Sequence, residues 1–240
     1  MLKTLTHAWS DFVSLLFPCL CLACEEPLPY HEPFLCLDCQ LSLPQTDFHL
    51  HKNNQFMERF EGRVALESAA ALFYFSRLSK TQHLIHKIKY EDKREAALEL
   101  GRLMGYKLLQ SPHFQGVSAI LPVPMHTRKQ ILRGYNQAEF FANGLSEVLQ
   151  IPVENKVLRK IKATDSQTRK NRWERLENTA DVFEANIPSF IPSGVLKGKH
   201  LLIVDDVLTT GATLEACALA ITEKNEDVKI SFATIAFVKY

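Results

Sequence analysis

With 240 residues, the chain is long enough for one core plus an appendage or for two small domains, and 46% apolar against 23% charged residues exclude global disorder. No apolar run approaches the roughly 18–20 residues of a membrane-spanning helix. Twenty-eight Lys and Arg against 27 Asp and Glu leave a formal charge of +1, so affinity for nucleic acid would have to come from a local patch.

At the N-terminus, Lys3 followed by FVSLLF (12–17) imitates the basic and apolar regions of a secretory signal. His7, Trp9, Ser10 and Asp11 interrupt that pattern and Pro18 ends it, while Phe12, Leu15 and Leu16 share one face of a short amphipathic helix. The expectation is a docking helix in a cytoplasmic protein. Five of the six cysteines then fall between Cys19 and Cys39. Cys21-x2-Cys24 and Cys36-x2-Cys39 have the spacing that lets two tight turns aim four thiolates at one tetrahedral Zn²⁺. Redox cysteines or a disulfide pair are the alternatives, and Cys19 competes with Cys21 as a ligand. The metal would stabilise a segment too small for its own core.

Residues 41–62 are polar and without clear periodicity, which suggests a connecting stretch. The expected division is a helix and zinc head over 1–45, a linker over 46–62 and an α/β domain over 63–240. Within that domain, 65–75 suggests a strand, with an edge strand of a hairpin as the expectation. Helical spacing runs through 78–90 (Leu78, His83, Leu84, Ile85, Ile88) and 93–109 (Ala97, Leu100, Leu103, Met104, Leu108). Lys89-Tyr90 closes the first of these helices, where a cation meets the helix dipole favourably. A short strand, Ala119-Ile120-Leu121, precedes a basic loop (126–137) and a helix, AEFFANGLSEVL. Between 156 and 175, eight basic residues face two acidic ones. Leu201-Leu202-Ile203-Val204 suits a strand buried on both faces, 213–224 a helix and 228–238 a further strand. This alternation predicts an open parallel sheet with helices on both faces.

The most informative stretch is LLIVDDVLTTGAT, 201–213. A buried strand, two acids and a small-residue turn opening a helix occupy the place where doubly wound folds bind ligands. Gly211 permits a tight turn, and the amides and hydroxyls of Thr209, Thr210, Ala212 and Thr213 can donate to phosphate oxygens at a helix N-terminus. Asp205 and Asp206 would repel a phosphate, so they suit the neutral hydroxyls beside it. Together these point to recognition of a ribose 5-phosphate. Neither GxxxxGK[ST] nor GxGxxG occurs, which disfavours a P-loop kinase or a dinucleotide dehydrogenase. Cys217, in LEACALAI, reads as a buried small hydrophobe, and the histidines lack ligand spacing.

Residues 201–213 resemble the phosphoribosyl-pyrophosphate (PRPP) motif of type I phosphoribosyltransferases. LPVPMHTRKQILRGYNQAE (121–139) and DSQTRKNRWERLENTADVFEA (165–185) are similar to blocks of the ComF family, and the CxxC…CxxC head matches that family's zinc domain. The resemblance spans nearly the whole chain. It implies a type I phosphoribosyltransferase-like fold, an open parallel sheet with helices on both faces plus a small zinc-binding domain, and a link to DNA uptake in natural transformation. By the same resemblance Asp205 and Asp206 hold the ribose hydroxyls at the catalytic centre. Val204, Val207 and Leu208 belong to the PRPP motif, and Thr209, Thr210, Gly211, Ala212 and Thr213 form its 5-phosphate loop. Arg128, Lys129, Arg133 and Gly134 meet the diphosphate, which brings Mg²⁺. The basic segment around 160–175 falls where these enzymes carry a hood over the site.

Three readings stay open. In the first, the chain transfers a phosphoribosyl group to a nitrogen acceptor that the sequence does not name. Alternatively it binds PRPP and single-stranded DNA without catalysis, with Arg169, Lys170, Arg172 and Trp173 as the nucleic-acid surface; a solvated basic hood explains those residues equally well. Or the zinc head docks a helicase or another uptake protein.

Overall fold

A computed structural model describes residues 18–29, 32–126, 130–131, 133–160, 183–185, 198–223 and 227–239. Its centre is strand β5, preceded in the chain by β1 (Ser68–Phe75), β2 (Val117–Pro122) and the short β3 (Leu158–Lys160) and β4 (Phe183–Ala185). β5 spans His200–Leu208 and β6 spans Lys229–Val238. Four strands form one parallel sheet in the order β1-β6-β5-β2, and β3 pairs antiparallel with β4 in a separate ribbon. Leu201 through Val204 are each 0% exposed, as a central strand covered on both faces requires.

Parallel neighbours need crossover connections, and helices supply them. Between β1 and β2 run two helices, Lys80–Tyr90 and Arg94–Leu109; Gln137–Leu149 follows β2 and Ala212–Thr222 joins β5 to β6. With two short helices upstream, Leu37–Ser42 (α1) and Gln55–Glu58 (α2), these become α3, α4, α5 and α6. Helices α4 and α5 touch backbone to backbone: a Cβ at Gly101 would strike the Phe141 carbonyl, and one at Gly144 the Leu98 carbonyl. Among the described residues, no helix is long and apolar enough to cross a membrane.

Three expectations need correction. The stretch 46–62, expected as a linker, is part of the core: Phe48, Phe56 and Phe60 are at most 4% exposed. Asn54 caps α2 by accepting from the Phe56 and Met57 amides, and its own amide donates to the Phe48, His51 and Ala69 carbonyls. Just upstream, the Thr46 amide donates to the Leu72 carbonyl (2.8 Å) and the Tyr74 amide to the Pro44 carbonyl (2.7 Å). These residues cover the outer edge of β1, where an open strand would invite foreign pairing. Second, β1 is an edge strand, but it pairs parallel with β6 and not within a hairpin. Third, Leu78 is 93% exposed and Leu103 38%, so neither joins the inner helix faces. Leu78 has φ +59°, in the turn before α3, and does not belong to the helix at all.

Candidate functional site

The acids lie inside β5, not after it. Strand β2 stops at Pro122, opposite Val204, whereas β6 accompanies β5 as far as Leu208. Beyond the bond from the Val123 amide to the Val204 carbonyl (2.9 Å), β5 therefore has a strand on one side only, and Asp205 and Asp206 border the gap. The Asp206 amide donates to Asp205 Oδ1 at 2.8 Å, and Lys89 Nζ lies 3.0 Å from Asp206 Oδ2. Burial, followed by the adjacent Asp206 carboxylate, pushes Asp205 up to about 7, against the pull of the Asp206 amide, Lys89 and Lys160. A carboxyl that keeps its proton up to near neutral pH can both accept from a hydroxyl and donate to one.

The turn that follows places Thr209 and Thr210 in solvent and Gly211 under cover. Gly211 caps α6 in the left-handed region (φ +86°, ψ −8°), and a Cβ there would lie 2.7 Å from the Phe60 ring. Glycine is required twice over, by backbone conformation and by the ring beneath it. From the segment expected as linker, Arg59 donates to the Thr209 carbonyl (2.5 Å), and from just past its end Arg63 donates to the Thr210 carbonyl (3.3 Å). Thr213 lies in the first turn of α6, whose N-terminal amides favour an anion.

On the other side of the gap, Arg133 stacks over the Tyr90 ring (5.1 Å), donates to the Tyr90 hydroxyl (3.4 Å) and reaches Gln137 Oε1 (3.4 Å). Gly134 has φ +79°, and the Tyr135 hydroxyl donates to the Ile88 carbonyl. Asn136 caps α5 and ties the loop to the Val123 carbonyl at 3.0 Å. The last turn of α3 thus touches both Asp206, through Lys89, and the Arg133–Tyr135 loop. Arg128, Lys129 and all four candidate nucleic-acid residues, Arg169, Lys170, Arg172 and Trp173, lie outside the described residues, as do the hood and the N-terminal helix. Lys160, whose charge reaches Asp205, packs over the Phe183 ring at 5.0 Å.

The four cysteines converge. One Sγ from each of Cys21, Cys24, Cys36 and Cys39 lies within 4.8 Å of the others, the one such cluster among the described residues. Cys24 and Cys36 Sγ are 3.7 Å apart, near the ~3.8 Å edge of a tetrahedron with bonds of about 2.3 Å to zinc. The first turn is closed by the Glu25 amide on the Cys21 carbonyl (2.9 Å), and α1, starting just after Cys36, returns Cys39 one turn later. Burial opposes ionisation of Cys21, but the amides of Cys36, Ala23 and Cys24 prevail and hold its thiol down to about 7. Burial and the other thiols hold Cys39 protonated in the absence of a cation. The chemistry of the set fits a tetrahedral metal ion. Cys19 is exposed and outside the cluster, and Cys217 is fully buried.

Sequence reasoning misses three contributors. Lys89, assigned to the helix dipole, is the counter-ion of Asp206. Arg59 and Arg63 sit in a stretch without strand or helix period, and the Asn54 cap followed by the Phe56/Phe60 pair is the signal that marks it.

The phosphoribosyl transferase domain family matches residues 136–238. The chain is 28% identical over 219 residues to DNA utilization protein YhgH of Escherichia coli (strain K12), covering 85% of this chain and 91% of that protein. Competence protein F of Haemophilus influenzae is 24% identical over 202 residues, covering 81% and 86%. Competence protein ComFC of Bacillus subtilis is 28% identical over 129 residues, covering 54% and 47%. Four converging cysteines, a parallel sheet ending in an acid pair and a glycine-capped turn, and relatives bearing these names make the chain similar to ComF family proteins and support a type I phosphoribosyltransferase-like fold.

Proposed function

We propose that this chain binds PRPP at the open end of β5 and transfers its phosphoribosyl group to a nitrogen acceptor, in a cytoplasmic role tied to DNA uptake. The observation that carries the reading is the juxtaposition at that end: paired carboxylates beside the gap, followed at once by a turn whose glycine cap opens α6. Thr209–Thr213 would take the 5-phosphate, and Asp205 and Asp206 the ribose 2- and 3-hydroxyls. Arg128, Lys129, Arg133 and Gly134 would take the diphosphate, whose departure leaves a cationic ribosyl carbon for the carboxylates to stabilise. Mg²⁺ would arrive with PRPP and disperse the diphosphate charge. Zn²⁺ held by Cys21, Cys24, Cys36 and Cys39 would be structural.

Calorimetry with Mg²⁺-PRPP tests the binding, and a pyrophosphate-release screen over bases and amines tests the transfer. Saturable binding lost in Asp205→Asn/Asp206→Asn supports the reading; absence of PRPP binding ends it. A second reading is favoured by the names of the relatives, which speak of DNA utilization and competence. In it the chain binds PRPP and single-stranded DNA, through Arg169, Lys170, Arg172 and Trp173, and the zinc head docks a helicase or another uptake protein. Affinity for an oligonucleotide that falls steeply with salt and drops in the triple Ala variant of the three arginine and lysine positions supports it. No pyrophosphate release with any acceptor favours this second reading over the first.

A further inference from the structure

The turn at 209–211 is built from behind, by the turn that follows α2 at 59–63. Arg59 spans two carbonyls, with Nη1 on Thr209 (2.5 Å) and Nη2 on Val238 (2.9 Å), and lies over the Phe237 ring at 4.4 Å. Four residues on, Arg63 reaches the Thr210 carbonyl (3.3 Å) and the Arg59 carbonyl (3.0 Å). Its Nε and Nη2 engage both oxygens of Glu215, in the first turn of α6. Between them, Phe60 fills the space beneath Gly211. Three side chains at 59, 60 and 63 therefore grip three consecutive residues of the turn.

Peptide planarity gives this grip a direction. In a trans peptide, the carbonyl of one residue and the amide of the next point opposite ways, and none of the described peptide bonds is cis. Drawing the Thr209 carbonyl to Arg59 turns the Thr210 amide away from the brace, and drawing the Thr210 carbonyl to Arg63 does the same for Gly211. Both amides are thus aimed outward, toward the space where an anion would sit. Arginine is suited to the task because its planar fork bridges two acceptors with fixed geometry, which a lysine ammonium does not.

Accordingly, we propose that Arg59 and Arg63 are positioning residues for the phosphate turn: they preset the outward amides of Thr210 and Gly211 without touching the ligand, while Glu215 holds Arg63 in register. This rests on the PRPP reading for the identity of the ligand, but not for the brace itself. Preorganised donors bind an anion without first having to order the loop, so losing the brace weakens binding of the terminal phosphate selectively.

The test uses the full chain and two probes, ribose 5-phosphate and inorganic pyrophosphate with Mg²⁺, together with amide hydrogen exchange. In Arg59→Ala and Arg63→Ala, ribose 5-phosphate affinity should fall about tenfold or more, pyrophosphate affinity should hold within about twofold, and exchange at Thr210 and Gly211 should accelerate in the unliganded protein. Arg59→Lys and Arg63→Lys should recover part of the loss. An equal loss for both probes would mean general destabilisation and overturn the proposal, as would unchanged affinity together with unchanged exchange. Should an Ala variant fail to fold, the Lys variants decide: a lysine spans only one of the two carbonyls, so wild-type affinity in Arg59→Lys sinks the idea. If the wild-type chain binds neither probe, the PRPP reading falls, and the exchange of Thr210 and Gly211 still judges the brace.

Discussion

Among the described residues between Cys21 and Leu43 the buried apolar side chains besides the cysteines are few (Leu22, Ala23, Leu35, Leu43), and four thiols meet at one point; beneath the turn at 209–211 lie Phe56, Phe60, Phe232 and Phe237, all at most 1% exposed. On the metal reading proposed above, the head would hold its shape through ligands that need a cation, because so few side chains remove too little surface from water. The turn holds a left-handed glycine and two outward amides because a dense aromatic floor and two arginines hold them there. On these readings one site would be organised by what it binds, the other before it binds. The difference predicts opposite responses when each is attacked.

The largest contrast should come from removing the metal. Cys39→Ser, or a strong chelator, should open the head to protease between 18 and 43 while the sheet keeps its melting transition; loss of both together would erase the distinction. Structural zinc contributes an apparent ~10–16 kcal/mol in peptides of this kind, more than packing could replace. Next, Gly144→Ala or Gly101→Ala should destabilise the sheet region by about 3 kcal/mol or more, since backbone meets backbone there and little can relax. Denaturant unfolding measures this, and zinc content should be unaffected.

A smaller effect tests how the acid pair is held. Unfolded aspartate titrates near 3.8, whereas folded Asp205 keeps its proton up to about 7. The stability it contributes is thus full below pH 3.8 and is lost as pH rises through 7. Asp205→Asn, neutral at every pH, should raise the melting temperature of the unliganded protein by roughly 5 °C at pH 8 and leave it nearly unchanged at pH 4. A pH-independent shift would show that the carboxylate is not strained. Smallest of all, Lys87→Ala removes the ion pair to Glu25, which is more than half exposed, and should cost under ~1 kcal/mol. A larger loss would mean that the head and α3 depend on each other more than their surfaces suggest.

How much of this is legible in the sequence follows from which signals are local. The β5 turn is legible because strand, acids, glycine and helix start are contiguous in 201–213, and the zinc knuckles because CxxC is a spacing rule. Lys89 is not legible: two lysines near a helix end are equivalent until the fold sends Lys87 toward Glu25 and Lys89 toward Asp206. The extension of β5 past Val204 is hidden as well, since it depends on β6 outlasting β2. Most instructive is 46–62, where polar composition suggests a tether. Its three phenylalanines stand eight and four residues apart with only Leu50 and Met57 as apolar residues between them, too sparse to mark a period, and only the sheet shows what they cover.

That segment also decides where the polypeptide can be cut. Residues 44–46 hem the free margin of β1, and Phe48, Phe56 and Phe60 complete the interior. A shortened version beginning at residue 63 would uncover a sticky strand and strip a wall of rings from the molecule, and would precipitate. Scissors placed ahead of Pro44 would sever the cysteine head and leave the rest entire.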